Sequence, residues 1–189
     1  MKDLIDQPRR AFLGNGAKLT LSAAAIGLLA GGKAVAQGNP MQDVQILNVA
    51  LGLEHEAIGA YQLGAQSGLL QKPVLSVAVL FQSHHKGHRD ALIATIQKLG
   101  GTPSPEKSLD EYAKALNAAA LKNQSDVLEL AARLELGATN AYLGVIPAFK
   151  DAQLAKVAAR LATDEAMHWT ALTSALAKAL PTAPLSFGA

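Results

Sequence analysis

Apolar residues recur at three- and four-residue spacing over four long stretches, each bounded by residues that end helices. The first stretch begins after Gly38-Asn39-Pro40 and runs to about Gly64, with Leu47, Leu51, Ile58 and Tyr61 on one stripe. Gln66-Ser67-Gly68 breaks it, and Pro73 stands in the first turn of a second helix that reaches about Leu99. Gly100-Gly101-Thr102-Pro103-Ser104-Pro105 stops that helix, and Ser108 to about Leu121 reads as a short extra helix on the connection. Ser125 is a good N-cap for a third long helix ending near Pro147, and Asp151 for a fourth ending near Leu180, just before Pro181. Two short connections flanking one long one predict an all-α, antiparallel four-helix bundle whose single long crossover joins helices two and three. Residues 181–189 read as a loosely held tail.

A fifth apolar run, from about Leu19 to Ala30, has a different meaning. It holds roughly 12 residues, short of the ~20 that span a bilayer. Arg9-Arg10 precede it and Ala34-Val35-Ala36 follow it, the layout of a cleaved signal peptide over residues 1–36 with Gln37 as the first mature residue. No stable membrane anchor is left after cleavage. The run Pro8-Arg9-Arg10-Ala11-Phe12-Leu13-Gly14 resembles the twin-arginine export motif, and Lys33 beside the cleavage site is similar to signals of that type. The resemblance implies the twin-arginine export machinery as a partner and a periplasmic or otherwise exported protein. An ordinary secretory signal is the alternative.

Composition narrows what the remaining residues, 37–180, can be. Half of the 189 residues are hydrophobic, 17% are charged and 4% are aromatic, which suits one compact domain with a helical bias. The chain has no cysteine, which excludes disulfides, thiolate zinc sites, iron–sulfur clusters and a lipidated cysteine. Any metal must be held by Glu, Asp or His. The net charge of +2 belongs to the leader: cleavage removes five basic and two acidic residues and leaves about −1. With no basic run remaining, nucleic acid is not an expected partner. Besides the export machinery, a second copy of the chain, in a homodimer, is left open as a partner.

An internal repeat carries the chemistry. Leu53-Glu54 is followed seven residues later by Tyr61, and Leu134-Glu135 seven residues later by Tyr142. Helix two has His85-x-x-His88 followed by Leu92, and helix four has Glu165-x-x-His168 followed by Leu172. Glu54 stands 34 residues before His88 and Glu135 stands 33 before His168, so the repeat spans a whole half-bundle. Helical spacing places Glu54 in line with Leu51, Ile58 and Tyr61, Glu135 with Ala138 and Tyr142, and Glu165 and His168 with Leu161 and Leu172. Three buried carboxylates without cations are costly or driven neutral, so this convergence calls for divalent metal. Glu-x-x-His supplies two adjacent ligands from one helix.

Leu53-Glu54-x6-Tyr61, Leu134-Glu135-x6-Tyr142 and Asp164-Glu165-x-x-His168 resemble the ferritin-like superfamily over residues 42 to 178, and with the leader they are most similar to its bacterial exported members. The resemblance implies iron or manganese pairs with oxygen, peroxide or ferrous-iron chemistry, although many members have no assigned reaction. The candidate ligands are Glu54, His85, His88, Glu135, Glu165 and His168. They would hold one or two divalent ions, with iron expected first and manganese or zinc as alternatives. Helix two departs from the pattern by carrying His85 where a Glu is expected. The nominal charge of the set falls from −4 to −3, and three imidazoles favour zinc, iron or copper over manganese. A single or asymmetric metal site is the competing reading, as is a non-enzymatic, structural or stress-related one. His84 with His88 is also an i, i+4 pair, so His84 stands as the alternative to His85. Tyr61 and Tyr142 are either core residues or partners that orient the carboxylates. His55 is expected at the surface or behind a ligand, and Glu56 and Glu129 in solvent.

Overall fold

The computed structural model describes residues 40–188; the leader and its cleavage site lie outside the described residues. Five α-helices and no strand make up the described part: α1 (Pro40–Gln66), α2 (Lys72–Lys98), the short α3 (Leu109–Ala115), α4 (Gln124–Val145) and α5 (Ala152–Ala175). Single turns of 3-10 helix follow α3 at Ala118–Ala120 and α4 at Ile146–Ala148. None of these helices is long and apolar enough to cross a membrane.

The cross-bundle bonds fix the topology. Along α1 and α4, Tyr61 meets Glu135 while Glu54 meets Tyr142. Along α2 and α5, His84 meets His168 while His88 meets Asp164. In both pairs the numbering rises on one helix as it falls on the other, so each pair is antiparallel. The hairpins α1–α2 and α4–α5 are antiparallel through their short connections. Leu47, Leu51, Leu92, Tyr142, Ala158 and Leu161 fill one end of the bundle, while Tyr61, Phe81, Leu128 and Leu172 cluster towards the other.

The long crossover is held against α1. Gly100 takes φ +77°, a value that favours glycine, and lets the Gly101 amide return to the Ile96 carbonyl at 2.9 Å, which closes the end of α2. Asn48 of α1 then ties the loop from both directions: its amide donates to the Thr102 carbonyl at 3.1 Å, and its carbonyl accepts from the Ser104 amide at 2.6 Å. Ser108 opens α3 with a reciprocal cap, in which Glu111 Oε2 accepts from the Ser108 amide at 2.9 Å. Tyr112 of α3 lies so close to α1 that a Cβ at Gly59 would sit 2.7 Å from its ring. With the crossover on its outer side, α1 is buried almost all round.

That covering corrects two expectations. His55 is buried on the crossover side, 3.9 Å from Glu106, and Glu56 is buried as well. Glu129 is exposed as expected and pairs with Lys178 at 2.9 Å. The helix limits also shift. Asn123, not Ser125, caps α4 by accepting from the Asp126 amide at 3.0 Å, which places Ser125 inside the first turn. Helix α5 stops at Ala175 rather than near Leu180, because Ala177 turns to φ 53° and the Lys178 amide reaches back to Thr173 at 3.1 Å. The tail is exposed but anchored. Phe187 packs edge-on against Trp169 at 5.2 Å, and the Gly188 amide donates to Asn140 at 2.8 Å.

Candidate metal centre

Each of the four long helices turns one or two polar side chains into the middle of an apolar bundle. Helix α1 supplies Glu54, α2 supplies His85 and His88, α4 supplies Glu135, and α5 supplies Glu165 and His168; none is more than 9% exposed. Their donor atoms form two overlapping groups. Glu54, His85, His88 and Glu165 make one, and His85, Glu135, Glu165 and His168 the other, with the donor atoms of each group within 4.8 Å of one another. Both contain His85 and Glu165.

The three-residue spacing in α2 and α5 creates this overlap by aiming two side chains of one helix at the same point. Glu165 Oε1 lies 3.2 Å from His88 Nδ1, while its Oε2 lies 3.2 Å from His168 Nδ1. His85 reaches one glutamate of each hairpin, with Nδ1 2.8 Å from Glu54 Oε2 of α1 and Nε2 3.2 Å from Glu135 Oε1 of α4. The tyrosines exchange partners between halves. Tyr61 of α1 donates to Glu135 of α4, and Tyr142 of α4 donates to Glu54 of α1. Of their two expected roles, the one that orients the carboxylates describes these contacts.

The donor set fits a divalent ion. Glu135 Oε2, Glu165 Oε1 and His88 Nδ1 are buried and have no hydrogen-bond partner. Buried polar atoms are rarely left so; of the six among the described residues, these three belong to the inward-facing set, and the others are Asp43 Oδ1 and both ring nitrogens of His55. Three carboxylate and three imidazole side chains are donors suited to iron or zinc.

The chain matches the model of the ferritin-like domain over residues 42–178. The chain belongs to that family. Its fold is shared with a conserved hypothetical protein from Mycobacterium tuberculosis, known from a crystal structure. The two are 23% identical, the match covers 78% of this chain and 99% of the other, and the TM-score is 0.60. No curated protein matches the chain.

Within this ferritin-like bundle the outer partners of the histidines show a feature that the motif alone does not. His88 Nε2 donates to Asp164 Oδ2 at 3.2 Å, and His168 Nε2 lies 2.9 Å from His84 Nδ1. Asp164 immediately precedes Glu165 as His84 precedes His85, so the two bonds are related by the repeat. His84, the alternative ligand, thus backs His168 from outside and belongs to neither donor group. Extending the repeat alignment by one residue would have found this pair. Phe81 stacks on His168 at 4.1 Å and shields that side of the centre. Arg89 and Asp90 pair with each other at the surface, 2.8 Å apart.

Charge within the centre is set by contest between burial and pairing. Burial opposes ionisation of Glu54 and Glu135, but His85 and His88 around the first, and His168 and His85 around the second, hold both below the usual carboxylate range. Glu165 is raised, because burial and the nearby Glu54 charge outweigh its histidines. Burial disfavours imidazolium at His88, yet the nearby Glu165 and Glu54 carboxylates raise it to about 10. The same contest lifts His85 well above its ordinary value, through Glu135 and Glu54, and raises His168. Burial and the neighbouring His168 and His88 lower His84.

Proposed function

We propose that the chain is an exported metal protein whose ferritin-like centre binds iron and supports redox chemistry with oxygen, peroxide or ferrous iron. The observation that carries this reading is the convergence of six buried Glu and His side chains from four helices, with three of their donor atoms making no hydrogen bond. Glu54 and His88 would serve one position, Glu135 and His168 the other, and Glu165 and His85 face both. A bound transition metal would supply one-electron chemistry and Lewis acidity. The protein's part is to hold the carboxylates in register through Tyr61 and Tyr142, and to keep bulk water away with Phe81 and the apolar layers.

Metal analysis of purified protein, with oxygen uptake recorded on ferrous addition, tests the proposal. Two irons per chain and rapid uptake are the expected result. One zinc per chain without uptake would overturn the redox assignment, and no stoichiometric metal would overturn the metal centre.

A second reading rests on His85. A ring with both nitrogens against carboxylates is an imidazolium, a cation placed between Glu54 and Glu135. That internal charge favours a single metal or a structural centre without oxidase activity. One ion per chain is its signature.

Export rests on the Arg9-Arg10 leader, outside the described residues. The twin-arginine route carries folded proteins, which suits a centre loaded before export. Replacing Arg9-Arg10 by Lys-Lys should strand the precursor inside the cell, and undiminished export would point to the general secretory route.

A further inference from the structure

At the end of the bundle where α1 and α5 finish and α2 and α4 begin, the four long helices enclose an apolar cavity of about 250 Å³. No charged residue lines it, and six of its lining positions are Ala or Gly: Ala60, Gly64, Ala78, Ala131, Ala171 and Ala175. Protein interiors ordinarily keep few voids larger than a water molecule. Here small side chains on all four helices leave one together, where larger residues would close it. The volume exceeds the ~150 Å³ at which an apolar cavity holds benzene. Val77, 42% exposed, lies in its wall, so the cavity reaches solvent.

Its inner end lies against the centre, with Tyr61 between. Tyr61 lines the cavity, its ring lies 5.4 Å from that of His85, and its hydroxyl donates to Glu135. Leu172 lines it too and clusters with Phe81, which stacks on His168. The cavity is therefore one aromatic ring away from the candidate ligands, on the side of Glu135 and His168.

We propose that this cavity binds a neutral, hydrocarbon-bearing small molecule and presents it to the metal centre across Tyr61. The uncharged lining excludes an ionic group from the interior and selects alkyl or aryl portions. The presentation, though not the binding, rests on the metal-centre reading.

Calorimetric titration of the full chain with octanol tests the binding, with triethylene glycol as the polar control of similar length. Saturable binding of one octanol per chain, and none of the glycol, is expected. Ala131→Phe fills the cavity and should weaken octanol at least tenfold. Val77→Trp, at a half-exposed wall position, should do the same without demanding core rearrangement, and so covers the case in which Ala131→Phe does not fold. Absence of saturable octanol binding, or undiminished binding in both folded variants, overturns the proposal. Presentation is read separately from the visible spectrum of cobalt-loaded protein, which saturating octanol should shift; an unchanged spectrum overturns that part. Octanol binding by a chain that takes up no metal would sink the metal centre and leave the cavity standing. Metal uptake without octanol binding would do the reverse.

Discussion

The first half of the bundle meets the centre with Glu54 and the run His84-His85-x-x-His88, the second with Glu135 and Asp164-Glu165-x-x-His168. The scaffold of the two halves is the same. Each contributes a tyrosine that bonds the other half's glutamate, and each contributes a histidine backed by the other half's helix. The chemistry is not the same. Wherever α5 presents a carboxylate, α2 presents an imidazole. On the shared frame one side carries two neutral or positive groups where the other carries two negative ones, and that leaves two inequivalent donor groups. The one at Glu54 and His88 has a carboxylate behind its histidine, and the one at Glu135 and His168 has another histidine.

Removing what the halves share should do the most damage. Glu165, fully buried, belongs to both donor groups. Glu165→Ala is expected to abolish stoichiometric metal, read as ions per chain after loading with iron or zinc. Glu54→Ala and Glu135→Ala should each empty only their own position. A Glu165→Ala protein that still holds its full complement breaks the two-position description outright.

Restoring the symmetry is the next test. His85→Glu gives α2 the same Glu-x-x-His as α5 and places four carboxylates in a dry core. With metal, it should hold two irons per chain with closely matched affinities. Without metal it should be less stable than the native chain, because the imidazolium between Glu54 and Glu135 is gone; breaking a buried ion pair costs about 3–5 kcal/mol. Melting curves with and without metal check both signs. A variant whose metal-free melting temperature equals the native one would show that His85 carries no such charge.

Much of this was legible in the sequence, because a 3.6-residue period and a repeat of 33 to 34 residues both survive in the letters. The bundle, its single crossover and the candidate residues all follow from them. What lay beyond has physical reasons. Reading one polar and one apolar face per helix left Glu56 in water and His55 at the surface or behind a ligand, but α1 is covered twice, by the bundle and by the crossover pinned through Asn48. Ser125 and Asn123 are both competent caps two residues apart, and only the backbone decides between them. The exchange of tyrosines depends on which helices become neighbours, and the cavity on small residues scattered over four of them. Neither leaves a local pattern.

Proton linkage gives the third expectation. In the metal-free chain His85, His88 and His168 are raised, so their contribution is complete below the unfolded value near 6.5 and is lost as pH climbs, reaching about 10 for His88. Glu54 and Glu135 are lowered, so theirs is complete above the unfolded value near 4.5 and is lost towards acid. Glu165 runs the other way and costs stability once ionised. Stability of the metal-free protein should therefore peak between about pH 4.5 and 6.5 and decline steadily to pH 10. Metal requires neutral imidazoles, so its binding at pH 7 should release protons and tighten with rising pH. Calorimetry of zinc binding in buffers of different ionisation heat counts those protons; none released would contradict the paired imidazolium state.

The finest difference between the halves is also the smallest in expected effect, since it leaves every donor in place. A carboxylate accepting from the outer N–H of a histidine raises the basicity of the inner nitrogen and fixes the ring, and losing such a partner typically weakens metal about 10- to 100-fold. Asp164 gives His88 that support from a side chain 49% exposed, so screening should keep the effect near the lower limit. His168 has His84 instead. His84→Asp should thus strengthen metal at the Glu135 position several-fold, and Asp164→His should weaken it at the Glu54 position by a similar factor, both read by chelator competition. The double variant exchanges the two environments and should exchange the order in which the positions fill. If both single changes left competition unaltered, the inequivalence of the positions would have to lie in His85 alone.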